Sequence, residues 1–188
     1  MTRVCLPPIA LAALLCAGGG AGAEVQKFLA PCGGQQLCAS YQLVLTPPAG
    51  WAVDKKASSE NRVQIIVPQG KAFATAEALI YVQVFYHADK TQSLADFARV
   101  SNERWLAANK NAKISALTPV ARANGKEGFL RFGFENPGKP QQAYEVGAFG
   151  LDSDKDGNQF VVDVVMTGGS KKALDRADND YLAFLKAH

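Results

Sequence analysis

The stretch Gln142-Ala143-Tyr144-Glu145-Val146-Gly147-Ala148-Phe149-Gly150-Leu151, Asp152-Ser153-Asp154-Lys155-Asp156-Gly157-Asn158, Gln159-Phe160-Val161-Val162-Asp163-Val164-Val165-Met166 decides the fold. Ala143 to Leu151 and Gln159 to Thr167 read as strands, because runs rich in β-branched and aromatic residues fit a pleated, buried surface. The residues between them are acidic. They close on Asp-Gly and Gly-Asn pairs, which supply the positive φ that a tight reversal needs. Tyr144, Val146, Phe149, Phe160, Val162 and Val164 make both faces of this hairpin apolar, which predicts a place near the centre of a sheet covered on both sides.

Working outward, Ser40 to Thr46 alternates as a strand, and Pro47-Pro48-Ala49-Gly50 breaks it before a short strand opened by Trp51. Lys55 to Asn61 reads as a polar turn. Arg62 to Val67 and Glu77 to Tyr86 read as strands, the second apolar on both faces. Ser93 is a good N-cap, with Asp96 three residues on. Leu94, Phe97, Ala98, Ser101, Trp105 and Ala108 then form one helical stripe, ending near Asn109 to Asn111. Ile114 to Val120 is a strand whose Pro119 suits a sheet edge. Gly128 to Phe134 is another strand, with Leu130, Phe132 and Phe134 inward. Ser170 caps a last helix with Leu174, Ala177, Tyr181, Phe184 and Leu185 on its buried stripe. Short turns join neighbouring strands, so the expected fold is α+β: a mainly antiparallel sheet flanked by helices on both faces.

The start of the chain reads as an export signal. Val4 to Ala17 is almost wholly apolar, and Ala21-Gly22-Ala23 has the small-x-small form of a cleavage site, placing the cut between Ala23 and Glu24. With Pro7 and Pro8 inside it, the run is too short for a typical membrane span, so no stable insertion is expected after cleavage. Cleavage and retention of the leader both stay open. A lipid anchor on Cys16 would want a small residue before it, and Leu15 is there instead. The organisation that follows is a signal peptide over 1–23, an N-terminal disulfide-bearing segment over 24–40 and a single domain over 41–188. Export predicts a periplasmic or secreted protein, and in that oxidising setting Cys32 and Cys38 are expected to form a disulfide. The chain carries 20 Lys and Arg against 17 Asp and Glu. The lysines are scattered through loops, which argues against nucleic acid or an anionic membrane as partner.

Several segments together resemble the PsbP/Mog1-like superfamily. They are Pro48-Ala49-Gly50-Trp51, the strand Leu79-Ile80-Tyr81-Val82-Gln83-Val84, the helix start Ser93-Leu94-Ala95-Asp96-Phe97, and the final apolar strand, small-residue turn and C-terminal helix. The resemblance runs from about Tyr41 to Leu185. It implies a central antiparallel sheet flanked by helices and a non-catalytic binding or assembly role, here with another protein of the cell envelope. It supplies no catalytic motif. A small-molecule or lipid ligand in an apolar groove beside the sheet is the alternative.

The sharpest chemical signal is the acidic turn. Asp152, Asp154 and Asp156, with Gly157 and Asn158, match the first half of a calcium loop, in which alternate carboxylates converge on one hard cation. Asp163 stands at the twelfth position, where such loops carry a bidentate acid. A strand after Asn158 would carry it on the order of 16 Å away. The turn therefore reads either as a weak calcium site or as a solvated hairpin turn, with no other cofactor expected. Asp163 is itself odd, a carboxylate between Val161 and Val165, read either as lying near the sheet edge, as buried with a partner such as Arg131, or as a ligand-contacting group. His87 and Asp89 could orient a general base, but no nucleophile motif accompanies them. Gly168-Gly169-Ser170 before a helix reads as a plain cap, the alternative being an anion cradled by its backbone N–H groups.

Overall fold

The computed structural model describes residues 25–33, 36–139 and 143–188, with the backbone alone at 31–33. The expected signal segment and its cut between Ala23 and Glu24 lie outside the described residues. Strands β1 (Val25–Gly33), β2 (Gln36–Leu43), β3 (Trp51–Val53), β4 (Gln64–Pro68), β5 (Ala78–Tyr86), β6 (Lys113–Val120), β7 (Phe129–Glu135), β8 (Tyr144–Ser153) and β9 (Gln159–Gly168) alternate with helices α1 (Lys55–Asn61), α2 (Leu94–Ala108) and α3 (Lys171–Ala187). Seven strands form one sheet in the order β3-β4-β5-β9-β8-β7-β6, every neighbouring pair antiparallel. The fold is thus the α+β sandwich expected, and the hairpin quoted at the outset supplies its centre: β9 lies between β5 and β8.

Burial explains that placement. Phe160, Val161, Val162, Val164 and Met166 are wholly buried, and a fully buried side chain of this size stabilises by about 1.5–3 kcal/mol. The even-numbered residues of β9 join Ile80, Val82, Ala148 and the α3 stripe Leu174, Ala177, Tyr181, Phe184 and Leu185 in the main core. The other face is covered by two helices. Ala57 of α1 lies over Ile65, Val67 and Leu79, and Leu94 and Ala98 of α2 lie over Phe149 and Val161. Two glycines of β8 permit close aromatic packing across the sheet. A Cβ on Gly150 would fall 2.6 Å from the Phe129 ring, and one on Gly147 2.9 Å from the Phe134 ring.

Several expectations change. Lys55–Asn61 is a helix, not a turn. Its cap is Asp54, whose carboxylate accepts from the Ala57 amide, and Arg62 ends it in the left-handed region. With one buried residue, so short a helix leaves no periodicity for the sequence to reveal. The lead-in before Tyr41 is a β-hairpin, β1 paired with β2, separate from the main sheet. The division expected between 40 and 41 falls inside β2. His188, the C-terminal residue, is buried: its Nδ1 donates to the Phe184 carbonyl at 2.9 Å and its Nε2 accepts from the Thr46 amide at 3.1 Å. That pattern belongs to a neutral ring, and burial depresses its pKa accordingly.

Candidate functional site

The acidic turn divides its carboxylates among different tasks. Asp152 is the penultimate residue of β8, with its side chain fully buried. Arg122 Nη2 donates to its Oδ2 at 2.6 Å, and Lys126 Nζ engages its Oδ1. The same guanidinium donates to the carbonyls of Leu151 and His188 and lies 4.8 Å from the centre of the Phe129 ring. Asp154 instead closes the turn on itself. Its Oδ1 accepts from the amides of Asp156 and Asn158, each at 2.9 Å, and its Oδ2 from Asn158 Nδ2 at 2.8 Å. These bonds hold the Asp154 carboxyl below its ordinary range, the Asn158 amide side chain acting most strongly. Gly157 takes φ +77°. Asp152, Asp154, Asp156 and Asn158 are thus neighbours in sequence, but among the described residues no three acidic, histidine or cysteine groups gather as a metal centre. Neither Arg122 nor Lys126 is signalled by the turn's own sequence.

His87 is buried, with Nε2 3.0 Å from the Gln92 carbonyl and its ring against Phe97. Asp89 faces Thr91, accepting from its amide at 2.9 Å and its hydroxyl at 2.6 Å. The His–Asp pair is therefore not assembled. Cys38 sits opposite Ala30 in the β1–β2 register, beside the Pro31–Leu37 pair. This hairpin brings the two cysteine positions onto facing strands, and the Cys32 side chain lies outside the described residues.

The unusual chemistry lies on the sheet face between α1 and α2. Asp163 is on the central strand, with Gln83 of β5 and Phe149 of β8 as its register neighbours. It is neither near an edge nor paired with Arg131. That arginine faces the other way, reaching Asp178 of α3 at 3.4 Å and lying over the Tyr181 ring. The Oδ1 of Asp163 is covered and has no hydrogen-bond partner. Burial, and then the nearby Glu145 carboxyl, push its pKa up to about 7. Glu145, opposite Thr167 in the register, is raised by burial too, while Thr167 and Lys139 pull it back. The Thr167 hydroxyl is buried against that carboxyl without a hydrogen bond of good geometry. Tyr81, on the same face, has its phenol pushed far up by burial and by both acids. An apolar strand interrupted by one acid was the visible signal for Asp163. Glu145, Thr167 and Tyr81 join it only through strand register.

A concavity of about 1310 Å³ opens beside the first turns of α3. Phe73, Leu79 and Ala173 line it, and Lys139, Lys172 and Arg176 contribute basic groups. Arg176 is paired with Glu77.

The topology defines a seven-stranded antiparallel sandwich with one helix on one face and two on the other. No family model and no curated protein matches the sequence. Among solved structures, the chain is similar to the crystal structure of the Ran-binding protein Mog1p of Saccharomyces cerevisiae, at 16% identity and a TM-score of 0.43. The match covers 77% of this chain and 82% of that one. Among the described residues no helix is long and apolar enough to cross a membrane.

Proposed function

We propose that this chain is an exported, non-catalytic binding protein that acts by holding another protein of the cell envelope. One observation carries the reading: the sheet face that carries α1 and α2 holds an acid, Asp163, whose covered Oδ1 has no hydrogen-bond partner in the free protein. A buried polar group without a partner is unfavourable by about 1–3 kcal/mol, and such groups collect where a protein meets something else. The leader-like start of the chain supports export, with mature protein beginning at Glu24 in the periplasm or outside the cell. There Cys32 and Cys38 close the tip of the N-terminal hairpin as a disulfide. The turn over Asp152 to Asn158 acts as a hairpin turn without calcium, since Arg122 and Lys126 already neutralise its most buried acid.

The test is chemical cross-linking in the native envelope followed by mass spectrometry. The expected result is one reproducible partner protein cross-linked to residues around α1 and α2, with the chain starting at Glu24 and its cysteines oxidised. Cross-links scattered over many abundant proteins would refute it. The basic groups and apolar lining beside α3 favour a second reading, a bound amphiphile with an acidic head. Native mass spectrometry of protein taken from the envelope would then show a co-purified lipid or small acid.

A further inference from the structure

Arg131 of β7 has a side chain only 11% exposed. It stands between Leu117 of β6 and Ala148 of β8, on the sheet face that α3 covers. Arg122, the other covered guanidinium, is answered by the Asp152 carboxylate and two carbonyls. Arg131 is not. Among the described residues its one hydrogen bond, to Asp178 Oδ1, is long at 3.4 Å, Nη1 makes none, and Nε is covered without a partner. The Tyr181 ring, 5.9 Å from Cζ, supplies no acceptor oxygen on that side. A guanidinium carries five N–H donors, and leaving most of them unmet in a covered place is unfavourable.

A cavity of about 290 Å³ adjoins this arginine, between α3 and strands β6 and β7. Small residues make the room. Gly133 stands opposite Ser115, and a Cβ on Gly133 would come within 3.1 Å of Ser115 Oγ. Leu117, Val146 and Leu174 give the cavity an apolar wall. Its charges have both signs. The acids Glu135, Glu145, Asp175 and Asp178 line it against the bases Arg131 and Lys171, and Lys171 reaches Asp175 at 3.4 Å. A simple anion would satisfy Arg131 but be repelled by the acids. A simple cation would suit the acids and leave Arg131 unmet. A molecule with a carboxylate and an ammonium a few bonds apart answers both. We propose that this cavity binds a free α-amino acid with an aliphatic side chain. Its carboxylate takes the Arg131 fork, its ammonium faces the acids, and its side chain lies on the apolar wall. The volume suits so small a molecule, since ligand cavities run from about 300 to 1,000 Å³. The site shares no lining residue with the concavity beside the first turns of α3, and it does not rest on the protein-binding reading.

The experiment titrates the ¹⁵N-labelled protein with three probes: leucine, N-acetyl-leucine, which lacks the ammonium, and leucinamide, which lacks the carboxylate. Saturable shifts at the amides of Leu117, Arg131 and Gly133 are expected with leucine. Each of the other two is expected to bind at least about tenfold more weakly, the worth of one lost charged hydrogen bond. R131M is expected to lose the response, and its spectrum reports its own folding. S115Y keeps the arginine but fills the cavity from the exposed side of β6, and it is expected to lose the response too. No saturable response to leucine, or one unchanged in S115Y, overturns the site. Leucinamide binding as tightly as leucine overturns the role of Arg131. N-acetyl-leucine binding as tightly as leucine overturns the amino-acid assignment.

Discussion

Replacing Asp163 with asparagine is expected to make the protein more stable in mildly alkaline buffer. The pKa of this carboxyl moves from the ordinary 3.8 to about 7 on folding. Because the folded value is the higher one, its contribution is fully present below pH 4 and is lost as pH rises through 7. At about 1.4 kcal/mol for each pH unit, the ionised carboxylate opposes folding by at most about 4 kcal/mol at pH 8. Asp163 keeps some contact with solvent, and an asparagine amide would leave its own donors short of partners. We therefore expect a gain of about 2 kcal/mol. The assay is urea denaturation followed by tryptophan fluorescence at pH 5 and pH 8. Wild type is expected to lose about 2 kcal/mol more than D163N between the two. With a slope of about 1–3 kcal/mol per molar urea, that is a midpoint difference near 1 M. His188 titrates with the opposite sign, since burial depresses its pKa, and it cancels because both proteins contain it. A variant less stable than wild type at pH 8, or parallel profiles at the two pH values, would refute this account of the Asp163 environment.

Four further outcomes are expected. Arg122→Met strands the buried Asp152 carboxylate and is expected to destabilise by about 3–5 kcal/mol in denaturant melts. Gly150→Ala places a methyl against the Phe129 ring and is expected to cost about 1–3 kcal/mol. Thermal melts in millimolar calcium are expected to match those in chelator, with the same result for Asp154→Asn measured against itself. Tyr181→Phe removes a hydroxyl placed between the carbonyls of Val146 at 3.0 Å and Val164 at 2.8 Å, with an expected loss of about 1 kcal/mol.

What the sequence disclosed follows the physics of each signal. The central hairpin was legible because Phe160 to Met166 is apolar on both faces, and only a strand covered on both sides tolerates that. α2 and α3 were legible from a serine cap followed by a long apolar stripe. α1 escaped because Ala57 is its sole buried residue. The site was half legible. Asp163 stands out against four valines, but its depth depends on which strand pairs with which. Gln83 and Phe149 become its neighbours only through the β5–β9 and β8–β9 registers. The partners of the acidic turn were hidden for a related reason. Alternate aspartates suggest convergence on one ion, yet Arg122, thirty residues earlier, draws Asp152 into the protein. The burial of His188 was not legible either, because it depends on hydrogen bonds to Phe184 and to the remote Thr46.

The position of β9 has a consequence for how the molecule comes into being. Ala78 must find Gly168, and every residue of β5 has a partner almost as remote along the chain. Closing so long a loop is entropically expensive and slows assembly. Strands β3, β4 and β5 have no route to the rest of the sheet except through β9. A nascent chain that ends before Gln159 therefore holds two half-sheets with nothing to join them. The molecule is expected to fold only after β9, in the last fifth of the chain, has been made, and to stay protease-sensitive until then.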